Sequence, residues 1–140
     1  MGFEKAFVTK KLTEIDKYLK ELEDLLACSD KQIKSDSGKL HIAERLLQLI
    51  VDTIIDINTY FIRELNLPIS EDYQSTFFTL AERGILPKNF AEKMAPIVGL
   101  RNRIVHRYES VDTHLFLSLL RSNVKDFTKY IVFIFRQLKK

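Results

Sequence analysis

Apolar residues recur every three or four positions through most of this chain, and that spacing limits the folds open to it. Val8, Leu12, Ile15, Leu19, Leu22 and Leu26 form one stripe, and Ala43, Leu47, Ile50, Ile54, Ile57 and Phe61 form a second. Phe116, Leu120, Val124, Phe127, Ile131, Ile134 and Leu138 form another. Such a period belongs to an amphipathic helix that turns one face to a core. Leu46, Val51 and Ile55 widen the second stripe, which predicts a helix buried on more than one side. No strand-like alternation is sustained, and the four Gly and three Pro leave long segments unbroken. The expected fold is all-α: an antiparallel four-helix bundle with an additional short helix at residues 72–83.

Local signals punctuate these helices. Ser29 to Gln32 has capping-box spacing, and Ser35-Asp36-Ser37-Gly38 is poor helix material that predicts a break. Pro68 limits the second long helix. Tyr73, Phe77 and Leu80 are expected on the inner face of the short one. Gly84 suits a C-terminal cap, and Pro87 a new helix start. Pro96 predicts a kink or an irregular turn. Ser110 or Asp112 is placed to cap the last helix.

With 140 residues and no linker or internal repeat, residues 1–140 are expected to form a single helical domain. The 46% apolar and 29% charged content excludes a disordered chain. The single cysteine, Cys28, excludes an intramolecular disulfide framework and a Cys-rich metal site. No apolar run approaches the ~18 residues of a membrane span, and the first residues lack a signal-peptide core. These features point to a cytoplasmic protein without a membrane partner. The net charge of +3 is too small to imply a nucleic-acid partner by itself. Its distribution is more informative: Arg101, Arg103 and Arg107 surround His106, with no acid between residues 93 and 108.

That basic segment interrupts a fourth stripe, Phe90, Met94, Ile97, Arg101, Ile104 and Tyr108, by placing an arginine in core phase. A buried guanidinium needs an acidic partner, a cleft or a subunit interface. Gln48, Asp52 and Asp56, spaced by four on the second long helix, form a polar stripe that supplies candidate support for the motif. On a continuous helix Arg101 and Tyr108 share one face, and Asn102 and His106 another. Arg101 and His106 lie ~140° apart around the axis, so they converge at a helix end or a groove mouth. A salt-bridged scaffold element is the plainer reading of the same spacing, and the acidic stripe read alone is a solvated face. His41 and His114 fit surface or capping positions. Phe127, Tyr130, Phe133 and Phe135 read as core and interface, since a base-stacking platform would need more basic residues between the aromatics.

Arg101 and Asn102, followed by His106 and Tyr108, resemble the R-x4-H-x-Y signature of HEPN-domain toxins, most closely the HepT group paired with a minimal nucleotidyltransferase (MNT) antitoxin. Glu44-Arg45-Leu46-Leu47-Gln48 and Asp56-Ile57-Asn58 are similar to that group's second helix. Tyr73 with Phe77, and Leu80-Ala81-Glu82-Arg83-Gly84-Ile85-Leu86-Pro87, are similar to its middle segment. The likeness spans roughly residues 40 to 135.

The resemblance implies a HEPN-like homodimer whose motifs face a shared cleft, acting as a metal-independent endoribonuclease with no cofactor. It places Arg101, His106 and Asn102 in the catalytic set and Tyr108 as the tyrosine that the MNT antitoxin modifies with AMP. The added charge of Arg103 and Arg107 suits an RNA backbone. The chemistry is consistent with this: His106 titrates near neutral pH and serves as general acid or base, while Arg101 can hold two phosphate oxygens. One histidine does not readily make both proton transfers, and a two-fold dimer supplies two. No His and carboxylate cluster with metal spacing occurs in the sequence. The alternative reading is a non-catalytic helical module that binds a nucleotide or a partner.

Overall fold

The computed structural model describes residues 3–106 and 112–140, with His106 described by its backbone alone. Within them lie six helices: α1 (Lys5–Leu26), α2 (Asp30–Lys34), α3 (Ser37–Glu64), α4 (Tyr73–Glu82), α5 (Lys88–His106) and α6 (Thr113–Leu138). Four are long, as the stripes predict, and α4 is the expected short helix. The single turn of α2 is additional. Its cause is the Ser29 capping box, in which the Ser29 side chain accepts from the Gln32 N–H and the Gln32 side chain accepts from the Ser29 N–H. The polar run that follows is the boundary between α2 and α3, where Asp36 caps α3 through the N–H groups of Gly38 and Lys39.

The central element is α3, which packs against α1, α2, α4 and α5. Its widened stripe is buried: Leu46, Leu47, Ile50, Val51, Ile54, Ile55 and Ile57 are all in the core. From α1, Val8, Leu12, Ile15, Leu19 and Leu22 pack inward, and α6 closes the bundle with Phe116, Leu120, Phe127, Ile134 and Leu138. At the other end of α1, Phe7 stacks on Tyr60 with ring centroids 4.4 Å apart, and the Tyr60 hydroxyl accepts from the Glu4 N–H.

Two polar clusters tie distant parts of the chain together. The fully buried Tyr130 hydroxyl donates to Asn58 Oδ1 at 2.6 Å, and Asn58 Nδ2 donates to Thr76 Oγ1 at 3.1 Å, which links α6, α3 and α4. Arg121 on α6 reaches the α1–α2 turn, donating to Leu26 O at 2.8 Å, to Cys28 O at 2.9 Å and to Asp30 Oδ1 at 2.9 Å.

Helix ends follow the turn chemistry. After α4, Gly84 has φ +83°, with Gly84 N–H bonded to Ala81 O and Ile85 N–H to Leu80 O, a Schellman motif. The same pattern ends α3 at Asn66, which has φ 53° and is the positive-φ non-glycine residue among those described. Pro68 follows two residues later. Asp112 caps α6 by accepting from the Leu115 N–H, and Ser110, the other candidate cap, lies outside the described residues.

One expectation is narrowed and one corrected. Helix α5 is continuous through Pro96, which removes the irregular turn from the two alternatives. Pro96 and Glu92, one turn earlier, are both exposed, so the Glu92 carbonyl freed by the missing proline N–H lies on the solvated side. Tyr73 is not on the inner face of α4. It is 52% exposed at the first turn, while Thr76, Phe77 and Leu80 are buried.

Candidate functional site

The arginine that breaks the α5 stripe occupies the seam between α5 and α3. Ile97, Val98, Leu100 and Ile104 around it are buried, so the helix cannot rotate Arg101 outward without exposing them. Its side chain is 18% exposed, and Nη2 lies 2.6 Å from Asp52 Oδ1. Nη1 donates to Asn102 Oδ1 at 2.9 Å. Arg101 Nε is buried and has no hydrogen-bond partner among the described residues. The guanidinium is thus held on two edges by neighbouring side chains, and Asp52, at 38% exposed, keeps contact with solvent.

The acidic stripe of α3 divides. Asp52 takes Arg101, whereas Asp56, one turn on, pairs with Lys11 of α1 at 3.2 Å. Gln48, one turn before Asp52, is half-buried on the same helix. Asn102 is half-buried and lines a groove of ≈ 360 Å³ with Glu71, Asp72, Tyr73, Gln74 and Val98. Arg103 is exposed on the outer side of α5. His106 closes the described part of α5, and Arg107 and Tyr108 lie outside the described residues. The structure therefore brings Arg101, Asn102 and Asp52 together. His41 and His114 are exposed. Among the described residues no three His, Cys, Asp or Glu side chains gather as a metal site, and no helix is long and apolar enough to cross a membrane.

Sequence reasoning missed the groove beside Asn102. Its wall comes from residues 71–74, which the reversal after Asn66 carries back to α5, and spacing along the chain holds no signal for that approach.

Arg101 on an apolar seam, held by a carboxylate and an amide from two helices, defines an all-helical protein with a polar motif built into its core face. The chain belongs to the ribonuclease HepT-like family, whose model matches residues 15–134. It is 30% identical over 130 residues to the tRNA nuclease HepT of Aphanizomenon flos-aquae, covering 93% of this chain and 88% of that protein. It is 23% identical over 124 residues to the mRNA nuclease HepT of Shewanella oneidensis, covering 89% of this chain and 92% of that one. The fold is shared with the tri-AMPylated Shewanella oneidensis HEPN toxin solved in complex with an MNT antitoxin. The TM-score there is 0.85 at 23% identity, over 91% of this chain and 95% of that one. A Bacillus subtilis cytosolic protein of unknown function also shares it, with a TM-score of 0.82 at 17% identity over 99% of this chain and 94% of that one.

Proposed function

We propose that this protein is a metal-independent endoribonuclease that acts as the toxin of a HepT/MNT pair, with Arg101, Asn102 and His106 as its reacting set. The observation that carries the reading is the Arg101 guanidinium, immobilised by Asp52 and Asn102 within the family-matched segment. A guanidinium has five N–H donors, and one already oriented loses little freedom when it takes a phosphate. In the reaction the ribose 2′-oxygen attacks phosphorus, its proton passes to one His106, and the P–O5′ bond breaks. A second His106, from the partner subunit of a homodimer, protonates the leaving 5′-oxygen. The products are a 2′,3′-cyclic phosphate and a 5′-hydroxyl. Arg101 balances the charge that develops on the non-bridging oxygens, while Arg103 and Arg107 hold the neighbouring backbone.

The relatives support the substrate class, one being a tRNA nuclease and another an mRNA nuclease. The Shewanella toxin, tri-AMPylated and bound to its MNT antitoxin, supports the partner and the silencing step. In that step the Tyr108 phenol oxygen attacks the α-phosphorus of ATP and pyrophosphate leaves. The bulky anion then stands close to Arg101 in sequence and competes with RNA for it.

The test is cleavage of RNA by purified protein in EDTA. Arg101→Ala and His106→Ala are each expected to abolish cutting and growth inhibition without loss of the fold. Undiminished cleavage by either variant rejects the reading, and nucleotide binding without cleavage by the unaltered protein favours a binding module. Co-expression with a cognate nucleotidyltransferase should add AMP mass at Tyr108, and modification that persists in Tyr108→Phe rejects that assignment.

A further inference from the structure

We infer that the groove between the first turns of α5 and the C-terminal half of α6 is a second RNA contact, which grips the phosphate backbone away from Arg101. The inference rests on the ribonuclease reading for its ligand. The groove, ≈ 550 Å³, is lined by Lys93, Lys129 and Arg136 together with Val132 and Phe133. On α6, Lys129, Phe133 and Arg136 follow one another at helical spacing, so they lie on one face, and the two charges stand about 10 Å apart along the axis. Lys125 extends the same row by one turn towards the N-terminus of α6.

The charge here is concentrated. Residues 124–140 hold five basic side chains and one acid, Asp126, a local balance of 5 − 1 = +4 against +3 for the whole chain. Asp126 is buried outside the groove lining and pairs with Lys93 at 3.9 Å, so it offsets that cation and leaves Lys129 and Arg136 as the uncompensated charges of the groove. Lys129 and Arg136 have no acidic partner among the described residues.

A merely solvated face would lack an apolar floor. Here Val132 is 42% exposed, and Phe133 rests edge-on against Phe90 at 4.9 Å, which fixes its ring in the groove. Cations flanking an aromatic and an aliphatic surface suit a strand that lays phosphates on the charges and a sugar or base against the floor. The position also favours a strand. Lys93 stands eight residues before Arg101 on α5, about 12 Å along the axis and about 80° around it, a separation that a strand of a few nucleotides can bridge. An acidic protein surface would match the charge but has no need to reach Arg101.

The test measures binding of fluorescein-labelled poly(U) to the full chain carrying His106→Ala, across a range of salt concentrations. Lys129→Gln with Arg136→Gln is expected to weaken binding about tenfold and to make the salt slope shallower by about 1.4, the value for two lost single-strand phosphate contacts. Lys10→Gln with Lys17→Gln, an equal charge change on the exposed side of α1, should leave both unchanged. The charge-retaining pair Lys129→Arg with Arg136→Lys should bind as the parent does, which excludes a folding defect.

Unchanged binding by the groove variant, or an equal loss in the α1 variant, overturns the inference. So does a groove variant that keeps poly(U) but no longer binds a nucleotidyltransferase partner, which would make the groove a protein interface. Cleavage of a dinucleotide, too short to reach the groove, should be unaffected by the groove substitutions in otherwise unaltered protein. If the unaltered protein cuts no RNA of any length in EDTA, the ribonuclease reading has failed, while the poly(U) measurement still decides the groove.

Discussion

Arg101 Nη2 on α5 stands 2.6 Å from Asp52 Oδ1 on α3, and the carboxylate of that pair is 38% exposed. A solvated pair contributes only ~1 kcal/mol or less to stability. Asp52→Asn is therefore expected to shift a urea midpoint slightly while lowering RNA cleavage, because the guanidinium loses its orienting partner. Arg101→Lys should not restore cleavage, since an ammonium lacks the planar fork. A loss of several kcal/mol in Arg101→Ala, together with normal cleavage by Asp52→Asn, would instead identify a scaffold pair.

The buried Tyr130–Asn58–Thr76 chain makes a separate prediction about stability. Tyr130→Phe removes the donor to Asn58 and should cost about 1–3 kcal/mol, read by denaturant unfolding. Burial pushes the Tyr130 phenol well above its ordinary 10.0. A folded value above the unfolded one means that the folded chain holds its proton longer. Stability from this group is then intact below pH 10 and lost as pH rises beyond it. The alkaline limb of the stability curve should flatten in Tyr130→Phe.

Three exposed aspartates act at the acid end. The Lys39 side chain holds Asp36 below its usual range, the Ser75 hydroxyl does so for Asp72, and the Leu115 N–H does so for Asp112. Each caps a helix, so each favours the folded state above the ordinary carboxylate value of 3.8, and that support disappears as pH falls through the lowered folded values. Replacing all three with Asn, which caps without ionising, should make helicity measured by circular dichroism less sensitive to acid. An unchanged acid transition would show that these caps do not set it.

Gly84, at φ +83°, has open space where a side chain would project. The cost of Gly84→Ala is therefore one of backbone conformation, about 1 kcal/mol in a thermal melt, and Gly84→Asn should cost less. Asn66→Gly, at the equivalent position after α3, should be neutral or slightly stabilising.

The long helices were legible because burial imposes a period: the α1 stripe names every buried residue of that helix, whereas the α3 and α6 stripes miss Tyr60, Ile62, Leu117 and Tyr130 and the buried polar residues Thr53, Asn58, Asn123 and Asp126. Arg101 was legible as an anomaly in such a stripe, and Asp52 as one candidate partner among three. Periodicity could not choose between Asp52 and Asp56, because that choice depends on Lys11 of α1 meeting Asp56. Tyr73 misled for a related reason. It shares the apolar phase of α4, but at the first turn that phase points past the end of the core. The basic groove was hidden because Lys93 and Lys129 are far apart in the chain, and α6 read alone shows too few cations between its aromatics.

The contacts that Arg121 makes to Leu26, Cys28 and Asp30 join positions 91 to 95 residues apart. Closing so long a loop costs entropy that only the docking of α6 can offset. Because Arg121 lies on α6, after α5 in the chain, this clasp forms only once Arg101 has already been made. A translating ribosome thus exposes Arg101 on α5 before the clasp exists, and the cationic face of α6 arrives only with the latch that shuts the bundle.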